Sequence, residues 1–122
     1  LYVKQNNDFR YDLEVGQLHE KWLGDLLESK TIEVKRDFMA SQTGNVFVEF
    51  FCRDKPSGIS TTEAAFWAFI LADKTVVLLP TDRLKALARE AHKAGQIVNG
   101  GDSGASKGVL ISVERLVRQC LQ

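Results

Sequence analysis

"TIEVKRDFMASQTGNVFVEFFC", residues 31–52, is the stretch on which the fold turns. Its first half sets Glu33, Lys35 and Asp37 at every second position, with Ile32, Val34 and Arg36 between them. A β-strand sends alternate side chains to opposite faces, so the three charged groups share one face. The second half alternates again, Val46, Val48 and Phe50 against Phe47, Glu49 and Phe51. Between the halves lies Thr43-Gly44, a turn signal, and the two segments read as an antiparallel hairpin. If the linker runs from Phe38 to Gly44, Glu33 stands opposite Glu49 and Lys35 opposite Phe47, with paired Cβ atoms about 4.5–5.5 Å apart.

Two carboxylates that close repel one another unless a cation offsets them. Lys35 is one candidate, and a divalent ion is a stronger one. Oxygen ligands suit Mg²⁺ or Mn²⁺, which take one or two protein carboxylates, keep several waters and bind phosphate oxygens. Such an ion stabilises charge that builds up on a phosphate, and Lys35 beside it positions the attacking water. Phosphodiester hydrolysis is the reaction these groups suit. The plain alternative is a solvated strand face, with Glu49 as a charge that protects a sheet edge and Asp37 as a turn residue.

The flanking sequence supplies the other elements. Between Leu13 and Leu27, Val15, Leu18, Trp22, Leu23, Leu26 and Leu27 recur at three- and four-residue steps and predict an amphipathic helix, with Asp12 at its start and Glu20 off its apolar stripe. After the loop "RDKPSG", residues 53–58, the spacing Ser60-Thr61-Thr62-Glu63 is that of a capping box and predicts a buried helix over "AAFWAFIL", residues 64–71. "KTVVLLP", residues 74–80, predicts a strand, and Thr81 opens a helix through Leu84, Leu87 and Ala91 that Gly95 stops. Strand, helix and strand in that order suit a right-handed crossover with parallel strands. "NGGDSGASKG", residues 99–108, is too rich in Gly and Ser to predict regular structure. "VLIS" predicts a short strand, and Val113, Leu116, Val117 and Cys120 a final helix. The sum is an α/β (α+β) fold: a small mixed sheet with an antiparallel hairpin, flanked by helices, in a single domain over residues 1–122.

Composition narrows the function classes. Sixteen basic and sixteen acidic residues give a formal net charge of zero, so nucleic-acid binding must rest on a local patch. Cys52 and Cys120 lack CxxC or Cys/His spacing, which argues against a disulfide framework or a zinc site. No apolar run approaches the roughly 20 residues that span a bilayer. "LYVKQNNDFR" lacks the layout of a secretion signal, so an intracellular, cytoplasmic protein without a membrane partner is expected. His19 and His92 stand without a second ligand at metal spacing, and "FWAF" reads as core.

"GQLHE" (residues 16–20), "IEVKRD" (32–37), "TGNVFVEF" (43–50), "KPSGISTTEAAFW" (55–67) and "NGGDSGASKGVLI" (99–111) together resemble small phage-type and bacterial proteins of the PD-(D/E)xK nuclease superfamily. The resemblance implies a restriction-endonuclease-like core and a phage-encoded or bacterial setting. By the same resemblance Glu33 is a metal ligand, Lys35 orients the attacking water, and Glu20 is the first-helix glutamate that completes the metal shell. The superfamily places a further acidic ligand on a strand just before E-x-K, and only "ESK" lies between Leu27 and Thr31. Glu49 is the first substitute and Asp37 the second. The implied activity is a Mg²⁺- or Mn²⁺-dependent endonuclease hydrolysing DNA, branched or phage-related DNA included, or RNA. A homodimer suits cutting of both strands. Phosphate contacts are expected from Lys30, Arg36, Arg53, Lys55, Ser57 with the backbone N–H groups of "PSGIS", and Lys107. Two other readings stand beside it: a degenerate, non-catalytic nuclease fold that binds nucleic acid or a protein partner, and a phosphate-binding enzyme using the glycine-rich loop. The loop lacks the G-x-x-x-x-G-K-[ST] order of a nucleotide-binding loop.

Overall fold

The computed structural model describes residues 9–101 and 104–118 and divides into two compact units, Leu1–Thr31 and Ile32–Gln122. The first holds one long helix, α1 (Phe9–Ser29), as the three- and four-residue spacing requires. Lys21 and Asp25 pair one turn apart along it. Of its apolar stripe Leu26 is buried, whereas Leu18, Trp22 and Leu27 are exposed.

The second unit is α+β with two sheets. In chain order it runs β1 (Ile32–Arg36), α2 (Ala40–Thr43), β2 (Asn45–Cys52), β3 (Lys55–Pro56), a 3-10 turn (Gly58–Ser60), β4 (Phe66–Ile70), β5 (Val76–Pro80), α3 (Thr81–Lys93), β6 (Ile97–Gly100), β7 (Ser106–Ser112) and α4 (Val113–Arg118). One sheet has the order β1-β4-β5 and the other β3-β2-β7-β6. β1 runs parallel to β4, and every other pairing is antiparallel. The core draws on both sheets and two helices: Val46, Val48, Val109 and Ile111 from the four-stranded sheet, Trp67, Phe69 and Leu79 from the three-stranded one, and Leu84, Leu87 and Leu116 from α3 and α4. Among the described residues no helix is long and apolar enough to cross a membrane.

Four expectations need correction. β1 and β2 do not form a hairpin; they belong to different sheets. The residues between them coil into α2, whose first amide donates to the Asp37 carboxylate and whose last turn closes on Gly44 at φ +76°. "FWAFI" is strand β4 rather than helix, and it forms an antiparallel hairpin with β5. An all-apolar run carries no period to separate the two forms, and its aromatic content favours a strand. The expected helix cap became a turn, in which Thr62 Oγ1 accepts the Ala64 N–H at 3.2 Å. The glycine-rich stretch supplies β6 and the start of β7, because the Phe47 ring lies over both Gly100 and Gly108. A Cβ at Gly108 would come within 2.5 Å of that ring, so an aromatic side chain covers backbone that would otherwise lack packing. The final helix matches through Arg118, and its expected extension to Cys120 lies outside the described residues.

Gly58 locks the loop after β3 onto β2. It sits at φ +54°, and a Cβ there would lie 2.2 Å from the Glu49 carbonyl oxygen. Gly58→Ala is therefore expected to destabilise the protein by at least about 1–3 kcal/mol, the cost of left-handed strain alone. Urea unfolding followed by circular dichroism measures it.

Candidate functional site

β1 is an edge strand whose charges face inward. In its ladder Glu33 is in register with Trp67 and Lys35 with Phe69, and both aromatics are buried. Residues in register share a face, so Glu33 and Lys35 lie on the core-facing side, at its rim. Lys35 Nζ is 3.8 Å from Glu33 Oε2 and 5.5 Å from the centre of the Trp67 ring. The two side chains keep 47% and 42% of their surface, which leaves them open to a ligand. An ion pair so exposed contributes about 0.2–1 kcal/mol at most. Val34, between them, is 55% exposed on the opposite face. Charged residues inward and an apolar one outward invert the ordinary pattern of a half-buried strand.

Within the second unit the other expected ligands, Glu49 and Asp37, do not join this pair. Val46 and Val48 are fully buried, so alternation along β2 turns Phe47 and Glu49 away from the core. Glu49 is in register with Gly108 of β7, beside a register shift between Glu49 and Phe51. It therefore points from the outward face of one sheet, while Glu33 points from the inward face of the other. The physical reason is the α2 insertion, which breaks the hairpin that would have opposed them. Asp37 does lie on the Glu33 face, but its carboxylate accepts the Phe47 N–H at 2.9 Å and the Ala40 N–H at 3.2 Å. Two charge-assisted hydrogen bonds occupy both oxygens, which makes Asp37 a structural clamp. Glu20 is exposed on α1, in the other unit. Among the described residues no group of three or more His, Cys, Asp or Glu is placed to hold a metal ion.

The expected phosphate contacts divide in the same way. Arg53, Lys55 and Lys107 gather at one end of the four-stranded sheet: Lys55 is in register with Cys52, Lys107 with Phe51, and the Arg53 N–H donates to Ala105 O. Arg36 stacks 5.1 Å over the Phe38 ring. Lys30 is exposed at the end of the first unit. Ser57 departs from expectation, since its hydroxyl is buried without a hydrogen-bond partner among the described residues. The amides of Ser57, Ser60, Thr61 and Thr62 already donate to Phe50, Ser57, Gly58 and Gly58 carbonyls, so "PSGIS" offers few free donors to a phosphate. Comparison with known protein families, curated proteins and solved structures returned no match to this chain.

Sequence reasoning passed over two features. Trp67 supports the Lys35 ammonium, and its Nε1 is a buried donor without a partner among the described residues. Lys85, Arg89 and His92 line one cavity with Phe50. Their spacing on α3, at i, i+4 and i+7, was the available signal.

Asp37→Ala removes both acceptor oxygens and leaves the Phe47 and Ala40 amides unpaired. A loss of about 2–4 kcal/mol is expected, since hydrogen bonds to charged groups contribute roughly 1.5–3 kcal/mol each and solvent replaces part of it. Chemical denaturation of the purified variant, unchanged by added Mg²⁺, separates this clamp from a metal ligand.

Proposed function

We propose that the chain is a divalent-metal-dependent nuclease that hydrolyses DNA phosphodiester bonds at the Glu33–Lys35 edge of β1. The observation that carries the reading is the inward-facing pair itself. A carboxylate and an ammonium sit 3.8 Å apart over a buried indole, on an edge strand open to a long substrate. One carboxylate is the minimum that Mg²⁺ or Mn²⁺ asks of a protein when the substrate brings phosphate oxygens and water fills the remaining positions. Glu33 would hold the ion, which when bound neutralises charge on the phosphate. Lys35, held from below by the Trp67 ring, donates a hydrogen bond to the attacking water or to a non-bridging phosphate oxygen. Arg53, Lys55 and Lys107 supply positive charge for a backbone that extends beyond the reacting phosphate.

A second reading is favoured by Asp37 and Glu49. With the first bound to amides and the second turned outward, the chain keeps the strand but not the full acid set. It then binds nucleic acid without cutting it.

One assay separates them: supercoiled, linear, single-stranded and branched DNA mixed with the purified chain in Mg²⁺, Mn²⁺ or EDTA. The expected result is cutting that EDTA abolishes, that Glu33→Gln and Lys35→Ala reduce by about 10²–10⁴-fold, and that Glu49→Gln leaves unchanged. Equal cutting by wild type and Lys35→Ala overturns the proposal. Retarded mobility that survives EDTA, with no product, establishes the binding-only reading.

A further inference from the structure

A cavity of about 380 Å³ lies between α3 and the inner face of the four-stranded sheet, away from the residues of β1. Its volume is at the lower end of small-molecule sites, which run about 300–1,000 Å³. Phe50, Ile59, Ala88 and Val109 form an apolar floor, while Ser60, Lys85, Arg89 and His92 form the polar part of the lining. Phe50 and His92 meet edge to face, with ring centres 5.3 Å apart and planes at 78°. Lys85 and Arg89 form no ion pair among the described residues. Glu90, the acid adjacent to Arg89 in sequence, is turned to Arg115. The Ser60 hydroxyl donates to Phe50 O at 2.9 Å and keeps its lone pairs as acceptors.

We propose that this cavity binds a nucleotide, its base in the floor beside Phe50 and His92 and its phosphate on Lys85 and Arg89. The ligand must be an anion with a flat apolar body. Two cations on one wall, without an ion pair among the described residues, supply the charge, and an aromatic pair supplies a surface on which any base can stack. A floor of four apolar residues is too short for an acyl chain, and an apolar floor is wasted on inorganic phosphate. The nucleotide is either free or one unit of a single strand, since both present the same base and phosphate.

The test is calorimetry on the full chain in EDTA, which excludes any hydrolysis at Glu33 and Lys35, so failure here leaves the nuclease reading untouched. The probes are dTMP, AMP, inorganic phosphate and short oligo-dT. Binding of dTMP at least about tenfold tighter than inorganic phosphate is expected, within the range that one base–aromatic stack supplies. The double variant Lys85→Glu/Arg89→Glu, on the helix surface, should weaken dTMP about 10-fold or more with unchanged circular dichroism. Ala88→Met, which narrows the floor, should bring dTMP down to the level of phosphate. Competition between dTMP and oligo-dT assigns the site to a strand unit, and dTMP binding without competition assigns it to free nucleotide. If dTMP binds no tighter than phosphate, or if charge reversal changes nothing, the cavity is not a nucleotide site.

Discussion

The Asp37 carboxylate joins the two sheets of the second unit. β1 ends at Arg36, and the next residue donates its own N–H to Ile70 O of β4 while its side chain accepts from Phe47 of β2. Phe47 lies in the first half of β2, on the side left open because β3 pairs only with Phe51 and Cys52. Unpaired strand amides are costly when partly buried, and here a carboxylate takes the place of a missing neighbouring strand. Its other oxygen starts α2, whose Ser41 hydroxyl accepts the Ala72 N–H and whose C-terminal Gly44 carbonyl accepts the Val113 N–H. One side chain thus fixes where β1 stops, how the chain turns, and how β2 and α4 follow. Both oxygens of that residue are thus engaged in holding the fold.

That clamp also explains the chemistry left on β1. With β2 diverted into a second sheet, β1 has among the described residues a neighbour only at β4, and its inward positions reach the rim of the core. Glu33 and Lys35 are tolerated there because they keep nearly half their surface in solvent and neutralise each other. Inward charges also deter pairing with another chain at a free edge. Discouraging association and holding a substrate call for the same exposure, so the geometry of β1 serves either purpose, and the reactivity of Lys35 distinguishes them.

Local pattern was enough to read α1, α3, β5 and the existence of β1 and β2. The two helices have a clear step of three or four, β1 and β2 alternate over five or more residues, and β5 is a continuous apolar run of strand length ended by Pro80. Tertiary partners were not legible. Nothing in "NGGDSGASKG" shows that Phe47, more than fifty residues earlier, covers Gly100 and Gly108 and turns apparent loop into strand. Nor does "AAFWAFIL" show that its backbone pairs with Ile32 to Arg36 on one side and Val76 to Pro80 on the other. The E-x-K pair was recognised correctly as one face. The opposition of Glu49 was inferred from a hairpin whose seven-residue connection, Phe38 to Gly44, had room to form a helix instead. Lys85, Arg89 and His92 stand at i, i+4 and i+7 in the sequence, a spacing that went unread, and only the position of Phe50 beside them makes that stripe a cavity.

Zero net charge is a weak guide to the partners of such a chain. A ligand senses charge within about a Debye length, roughly 8 Å at physiological salt, and the balance over 122 residues says little at that range. Several carboxylates are engaged locally: Asp37 by amides, Glu90 by Arg115, Glu114 by Arg118 and Asp73 by the Thr75 N–H, which holds its pKa below the ordinary value. Lys85 and Arg89 are left without an ion pair among the described residues, beside a face that is otherwise apolar. Local pairing, not the total, sets the field that an anion meets on this surface. A chain neutral overall therefore presents discrete cationic sites, where binding should weaken with salt while the fold, held by apolar packing and backbone clamps, does not.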